Sequence, residues 1–163
     1  MSTPVSTATD RPPSAPVRRV VTGLDAQGRS CILLDGPAPQ PGGTAINMVW
    51  RTDAIPADNS GRADIDDTPF GFELMHAGGS LCTVLDYPPG MTTFMHATDT
   101  LDYIVVIRGE VTIVTETGEA KCRPGDIIVD RGILHAWRND TSEVATIAVI
   151  IVPAHPVGKG KTV

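Results

Sequence analysis

The sequence runs to 163 residues with a net charge of −6, 41% hydrophobic residues, 14 prolines and 16 glycines. That length supports one well-packed domain rather than two, and the acidic balance excludes a nucleic-acid surface, which needs a basic face. The three cysteines, Cys31, Cys82 and Cys122, lie far apart with no Cys-x-x-Cys pair, which argues against a disulfide framework and for reduced thiols in a cytoplasmic protein.

Residues 1–16, rich in Ser, Thr, Pro and Ala and without an apolar centre, read as a flexible arm and not as a secretory signal. Residues 17–22 and 30–34 are short β-branched runs, and the glycine-containing stretch between them predicts a hairpin. Residues 35–43 hold three prolines and three glycines and must be a loop. A strand fits 45–51, with Trp50 near its end. Residues 52–69 are polar and acidic and read as a long loop with room for one helical turn.

Strand signals then come densely, at 80–87, 92–96, 102–107, 111–115, 120–123, 127–130, 134–139 and 144–152. Turns such as Pro88-Pro89-Gly90, Arg108-Gly109-Glu110, Thr117-Gly118-Glu119 and Pro124-Gly125-Asp126 separate them. The last run is too short to cross a bilayer, so no membrane is expected. Short strands with a turn roughly every 8 to 12 residues predict an all-β antiparallel sandwich or barrel. No amphipathic helix of ten residues or more and no internal repeat is visible.

Two stretches carry a specific resemblance. Gly90, His96, Asp102 and Gly109 stand in the register of the first cupin motif, with Thr98 where a second His is usual. Residues 123–139, with Pro124-Gly125-Asp126, His135 and Asn139, resemble the second motif, with Arg131 where Pro is common. The chain is thus similar to small single-domain cupins, in a branch with His-x-Thr-Asp in the first motif and Arg-Gly-x-x-His-Ala-Trp in the second. The resemblance implies a double-stranded antiparallel β-helix, or jelly-roll barrel, over residues 17–155 with extra N-terminal strands, then a tail over 156–163.

It also implies a metal. In cupins the motif histidines and the carboxylate converge on one divalent ion, and imidazole nitrogens with a carboxylate oxygen suit Fe, Mn, Ni, Zn or Cu. Here the set is His96, His135 and Asp102. Asp102 reaches one methylene less far than Glu, and Asp99 is an alternative carboxylate, although strand alternation puts it on the face opposite His96. No organic cofactor is expected.

Parity places other side chains. Trp137 shares the face of His135, and Ile104 and Val106 share the face of Asp102, so with Thr98 they are the expected substrate wall. Tyr103 points outward. His76 reads as a loop residue near a barrel mouth or an interface, His155 as a solvated tail residue, and Cys82 and Cys122 as small core residues. Arg51 and Arg138 are surface charges or greet an anion; Asn139 and Asp126 are turn formers.

Two functions compete. One is a metal-dependent enzyme acting on a small organic oxo compound or carboxylate, of decarboxylase, isomerase, lyase or dioxygenase type, with His135 and Asp102 catalytic even without metal. The other is a non-catalytic small-molecule binder without metal. The apolar faces of the N-terminal strands, together with the resemblance, predict a homodimer.

Overall fold

A computed structural model describes residue 12 and residues 15–163. The arm expected over 1–16 therefore lies almost entirely outside the described residues. The all-β reading holds: among the described residues ten antiparallel strands accompany one short α-helix and one 3-10 turn, Pro41–Gly43.

The N-terminal hairpin pairs β1 (Arg18–Leu24) with β2 (Ser30–Pro37) as a sheet of its own. It is fastened at its base to β3 (Ile46–Arg51), where Val17 N–H donates to Asn47 Oδ1 at 2.9 Å and Arg19 Nη1 donates to the Val49 carbonyl at 3.1 Å. Arg19 also pairs with Asp64 of the following loop.

The larger sheet runs β3-β4-β10-β5-β8, with β4 at Leu81–Tyr87, β5 at Thr100–Arg108, β8 at Ile127–Asp130 and β10 at Ala145–Pro153. The smaller is β7-β6-β9, from Glu119–Cys122, Val111–Thr115 and His135–Arg138. Alternation decides which side chains meet between them. On β5, Thr100, Asp102, Ile104 and Val106 are buried while Tyr103 faces solvent. Ile104 and Val106 pack with Met48, Leu81, Tyr87, Val111, Trp137, Ile147, Val149 and Ile151 as one core.

Two local expectations are corrected. The strand over 92–96 is reduced to two isolated bridges, Thr92 with Arg138 and His96 with His135. Between them the 92–96 side holds one residue more than its partner, so the ladder bulges at Phe94-Met95 and regular pairing stops. The helical turn comes later than 52–69: α1 is Phe72–Met75. No helix among the described residues is long and apolar enough to cross a membrane.

Two residues lock the strand ends. Gly132 has φ of 75°, and an added Cβ would run into the Thr98 carbonyl oxygen, so the turn before β9 presses on the segment before β5. Asn139 is fully buried; its amide nitrogen donates to Tyr87 and Glu143 carbonyls at 2.8 and 2.7 Å, and its oxygen accepts from the Thr141 N–H and hydroxyl. Asn139→Ala leaves those buried groups unpaired and lowers unfolding stability by about 2–4 kcal/mol, read from urea midpoints at unchanged slope.

Candidate active site: two imidazoles beside a buried acid pair

His96 and His135 come from distant parts of the chain and meet because their main chains are bonded reciprocally. His96 N–H donates to the His135 carbonyl at 2.8 Å, and His135 N–H donates to the His96 carbonyl at 2.9 Å. Their rings lie 4.5 Å apart between centroids, inclined by 50°. Each Nδ1 is engaged by main chain: His96 with the Phe94 carbonyl at 3.0 Å, His135 with the Ile133 carbonyl at 2.8 Å. Pinning Nδ1–H in this way leaves Nε2 as the free nitrogen of each neutral ring.

The two rings differ in one respect. Asp130 Oδ2 lies 2.9 Å from Nδ1 of His135. The ring's N–H is aligned with the Ile133 carbonyl instead, so Oδ2 makes an ionic contact and no well-directed hydrogen bond. The other oxygen of Asp130 accepts the Gly132 and Ile133 amides at 3.0 and 3.3 Å, which fixes the carboxylate. Across the β5–β8 ladder Asp130 is the direct partner of Asp102, whose Oδ1 is buried without a hydrogen bond.

These surroundings separate the titrations. Burial drives the His96 pKa down, and the neighbouring His135 charge adds to that. Burial also opposes a charged His135, but Asp130 outweighs it and the pKa is raised. Asp102 is pushed up to about 6, first by burial and then by the Asp130 charge, against the Thr100 hydrogen bond.

The rings open on a cavity of about 280 Å³. Its wall is largely apolar, with Ile104, Ile147, Val149, Ile151, Phe70, Phe72, Phe94, Tyr87 and Trp137 around His96, His135 and Asp102. Phe72 and Phe94 stand 5.5 and 5.3 Å from the His96 ring, and Trp137 stands 5.8 Å from His135.

Of the expected residues, His96, His135, Asp102, Ile104 and Trp137 face this space together, and Thr98 and Val106 do not. The Thr98 hydroxyl is paired with Thr100 Oγ1, two residues on, at 2.7 Å, and Val106 is spent in the core. Asp99 is also off the wall; its Oδ1 accepts the Lys161 amide at 2.8 Å. Sequence reasoning missed Asp130, Phe72 and Phe94. A signal for Asp130 existed: it closes an apolar strand in phase with half-buried Ile128, while Ile127 and Val129 are exposed.

No family model matches the chain. Among curated proteins, the cupin-domain-containing oxidoreductase fogC of Aspergillus ruber is 36% identical over 149 residues, spanning 84% of this chain and 72% of its own. The chain belongs to the cupin family. A second relative, phomopsin biosynthesis cluster protein C′ of Diaporthe leptostromiformis, is 34% identical over 133 residues, 74% of this cupin and 69% of the relative. Among solved structures, a Silicibacter pomeroyi sugar phosphate isomerase of the cupin superfamily is 22% identical with a TM-score of 0.42, covering 46% of this chain and 51% of that one. A cupin 2 conserved barrel domain protein from Salinispora arenicola is 17% identical with a TM-score of 0.43, covering 46% and 64%.

Membership raises the question of a metal. Among the described residues no three His, Cys, Asp or Glu side chains group as a metal site would require. The set expected at His96, His135 and Asp102 is not assembled as such a group. Thr98, which occupies the position of the second His of the first motif, has its hydroxyl turned to Thr100. The donors do not fit a three-ligand centre.

Proposed function

We propose that this cupin is an enzyme that moves protons on a small, mostly apolar carbonyl compound, an isomerase-type reaction performed by His96 and His135. The observation that carries the reading is an asymmetric imidazole pair in an apolar cavity: a buried carboxylate lies against His135, whereas His96 rests on a peptide carbonyl. Paired groups whose surroundings drive their titrations apart are suited to opposite roles.

In the first half-reaction neutral His96 takes a proton from the carbon next to the carbonyl. The C–H electron pair becomes a C=C bond, and the carbonyl π pair moves to oxygen, which takes the proton of the His135 imidazolium. In the second half the enol returns its O–H proton to His135 as C=O re-forms, and the C=C pair takes the proton of His96: on the original carbon this is exchange, and in a β,γ-unsaturated substrate, whose dienol relays the pair to the γ carbon, it is migration of the double bond. Protons and electron pairs balance without an external oxidant. Asp130 holds His135 in the charged form that donates, and Asp102 adds a carboxyl that titrates close to neutrality. The apolar wall excludes water and strengthens each polar contact inside. The naming of relatives such as fogC as oxidoreductases is compatible, because loss of that proton also precedes oxidation at carbon.

The test is deuterium wash-in from D2O into a panel of apolar, enolisable ketones and aldehydes small enough for the cavity, followed by proton NMR. Exchange at one carbon, dependent on the protein, is the expected result. Binding without exchange would leave the non-catalytic binder as the better account. Incubation with 1,10-phenanthroline and desalting leaves the exchange rate unchanged; loss of activity restored by one divalent metal would overturn the acid–base reading.

A further inference from the structure

We propose that His76 is a positioning residue that ties together the two sides of the cavity mouth, α1 with Phe72 and the segment carrying His96. The inference takes from the proposed function only that the cavity around His96 is the working site. Its test uses no substrate, so the two readings fail separately.

A helix of four residues does not hold itself in place, because one turn does not repay the entropy of forming it. Yet α1 brings the Phe72 ring to 5.5 Å from His96 and 6.0 Å from Phe94. Met75 seats it in the core, with Phe72 and Leu74 packed against that core, and a polar tie comes from the residue that ends it. His76 caps α1 through its own N–H, which donates to the Glu73 carbonyl at 3.1 Å, and the next N–H, of Ala77, donates to the Leu74 carbonyl at 3.4 Å. The His76 ring then reaches the other wall, where Nε2 accepts the Asp99 N–H at 3.2 Å.

Asp99 lies three residues beyond His96, in a segment gripped by the C-terminal tail as well. Lys161 N–H donates to Asp99 Oδ1 at 2.8 Å, Thr162 N–H donates to the Ala97 carbonyl at 2.9 Å, and Ala97 N–H donates to Thr162 Oγ1 at 2.9 Å. One side chain thus closes the gap between a helix too short to stand alone and the short connection that aims His96. To accept from an amide, Nε2 must hold a lone pair, so His76 is neutral with its proton on Nδ1. Burial and the Lys161 charge both disfavour a second proton there, against the pull of Asp99.

The experiment is NMR on protein labelled at histidine and backbone nitrogen. In the unaltered protein, two-bond proton–nitrogen correlations give the Nδ1–H tautomer for His76; the Nε2–H tautomer overturns the proposal. In His76→Phe, which keeps the bulk and removes the acceptor, the Asp99 amide exchanges about tenfold faster, the loss of one hydrogen bond. His96 ring signals shift or broaden while those of His135 hold. His76→Gln, whose amide oxygen can accept the same N–H, returns both readouts most of the way. Unchanged exchange and His96 signals in His76→Phe, or no rescue by His76→Gln, refutes the role. Should His76→Phe fail to fold, the tautomer and His76→Gln decide the matter.

Discussion

His135→Asn lowers the rate of carbon-bound proton exchange by about 10²- to 10⁴-fold, the loss expected when one positioned acid–base group is removed. The amide can still hydrogen-bond to a carbonyl, but it cannot deliver a proton. The fold is expected to survive, because the amide and carbonyl that bond His135 to His96 belong to the main chain. Far-ultraviolet circular dichroism separates loss of chemistry from loss of structure. The pH profile gives a second check. Activity needs His96 neutral and His135 charged, and the first is shifted down while the second is shifted up. The profile is therefore a bell with its acid limb below the ordinary imidazole value of about 6.5 and its alkaline limb above it. In His135→Asn the residual rate keeps the acid limb and loses the alkaline one. A variant within a factor of about two of the parent would end the assignment of His135 as donor.

The second large effect is on stability. Asp102→Asn stabilises the protein at pH 7.5 by up to about 3 kcal/mol and has little effect at pH 3. The carboxyl titrates at about 6 in the fold, against an ordinary value of 3.8. The folded chain thus binds that proton more tightly than the unfolded chain does. The stabilisation from this proton is fully present below 3.8 and is lost as pH rises through about 6. Above that, a carboxylate with a buried, unpartnered oxygen faces the Asp130 carboxylate across the β5–β8 ladder. An amide of the same shape removes the repulsion. Urea melts of both proteins between pH 3 and 8 test this: the two curves should part near pH 4 and be fully separated by pH 7. Parallel curves would show that Asp102 is ionised in the fold without penalty.

Much of the architecture was legible in the residues because it rests on local chemistry. Alternating apolar runs broken by Gly and Pro turns mark most of the strands, and inward parity for Asp102 and Ile104 with outward parity for Tyr103 follows from a period of two. The approach of His96 to His135 was legible from the two motifs. What escaped depends on register. Asp130 meets Asp102 only through the way β5 and β8 slide past each other, which the spacing within either strand does not encode. The bulge at Phe94-Met95 carries no glycine to announce it. Phe72 lies on a single helical turn, too short to show a period, and it reaches His96 across 24 positions of sequence. Thr98 misled because a position in a motif says where a residue sits and not which neighbour its hydroxyl chooses.

The reciprocal backbone bonds between His96 and His135 have a practical corollary. The separation of these two positions is carried by peptide groups common to every amino acid, so new side chains can be installed there without redesigning the scaffold. The barrel therefore offers a fixed-distance socket in an oily enclosure. Pairs such as Cys with His, or Glu with Lys, could be screened in it for reactions that the native rings do not perform.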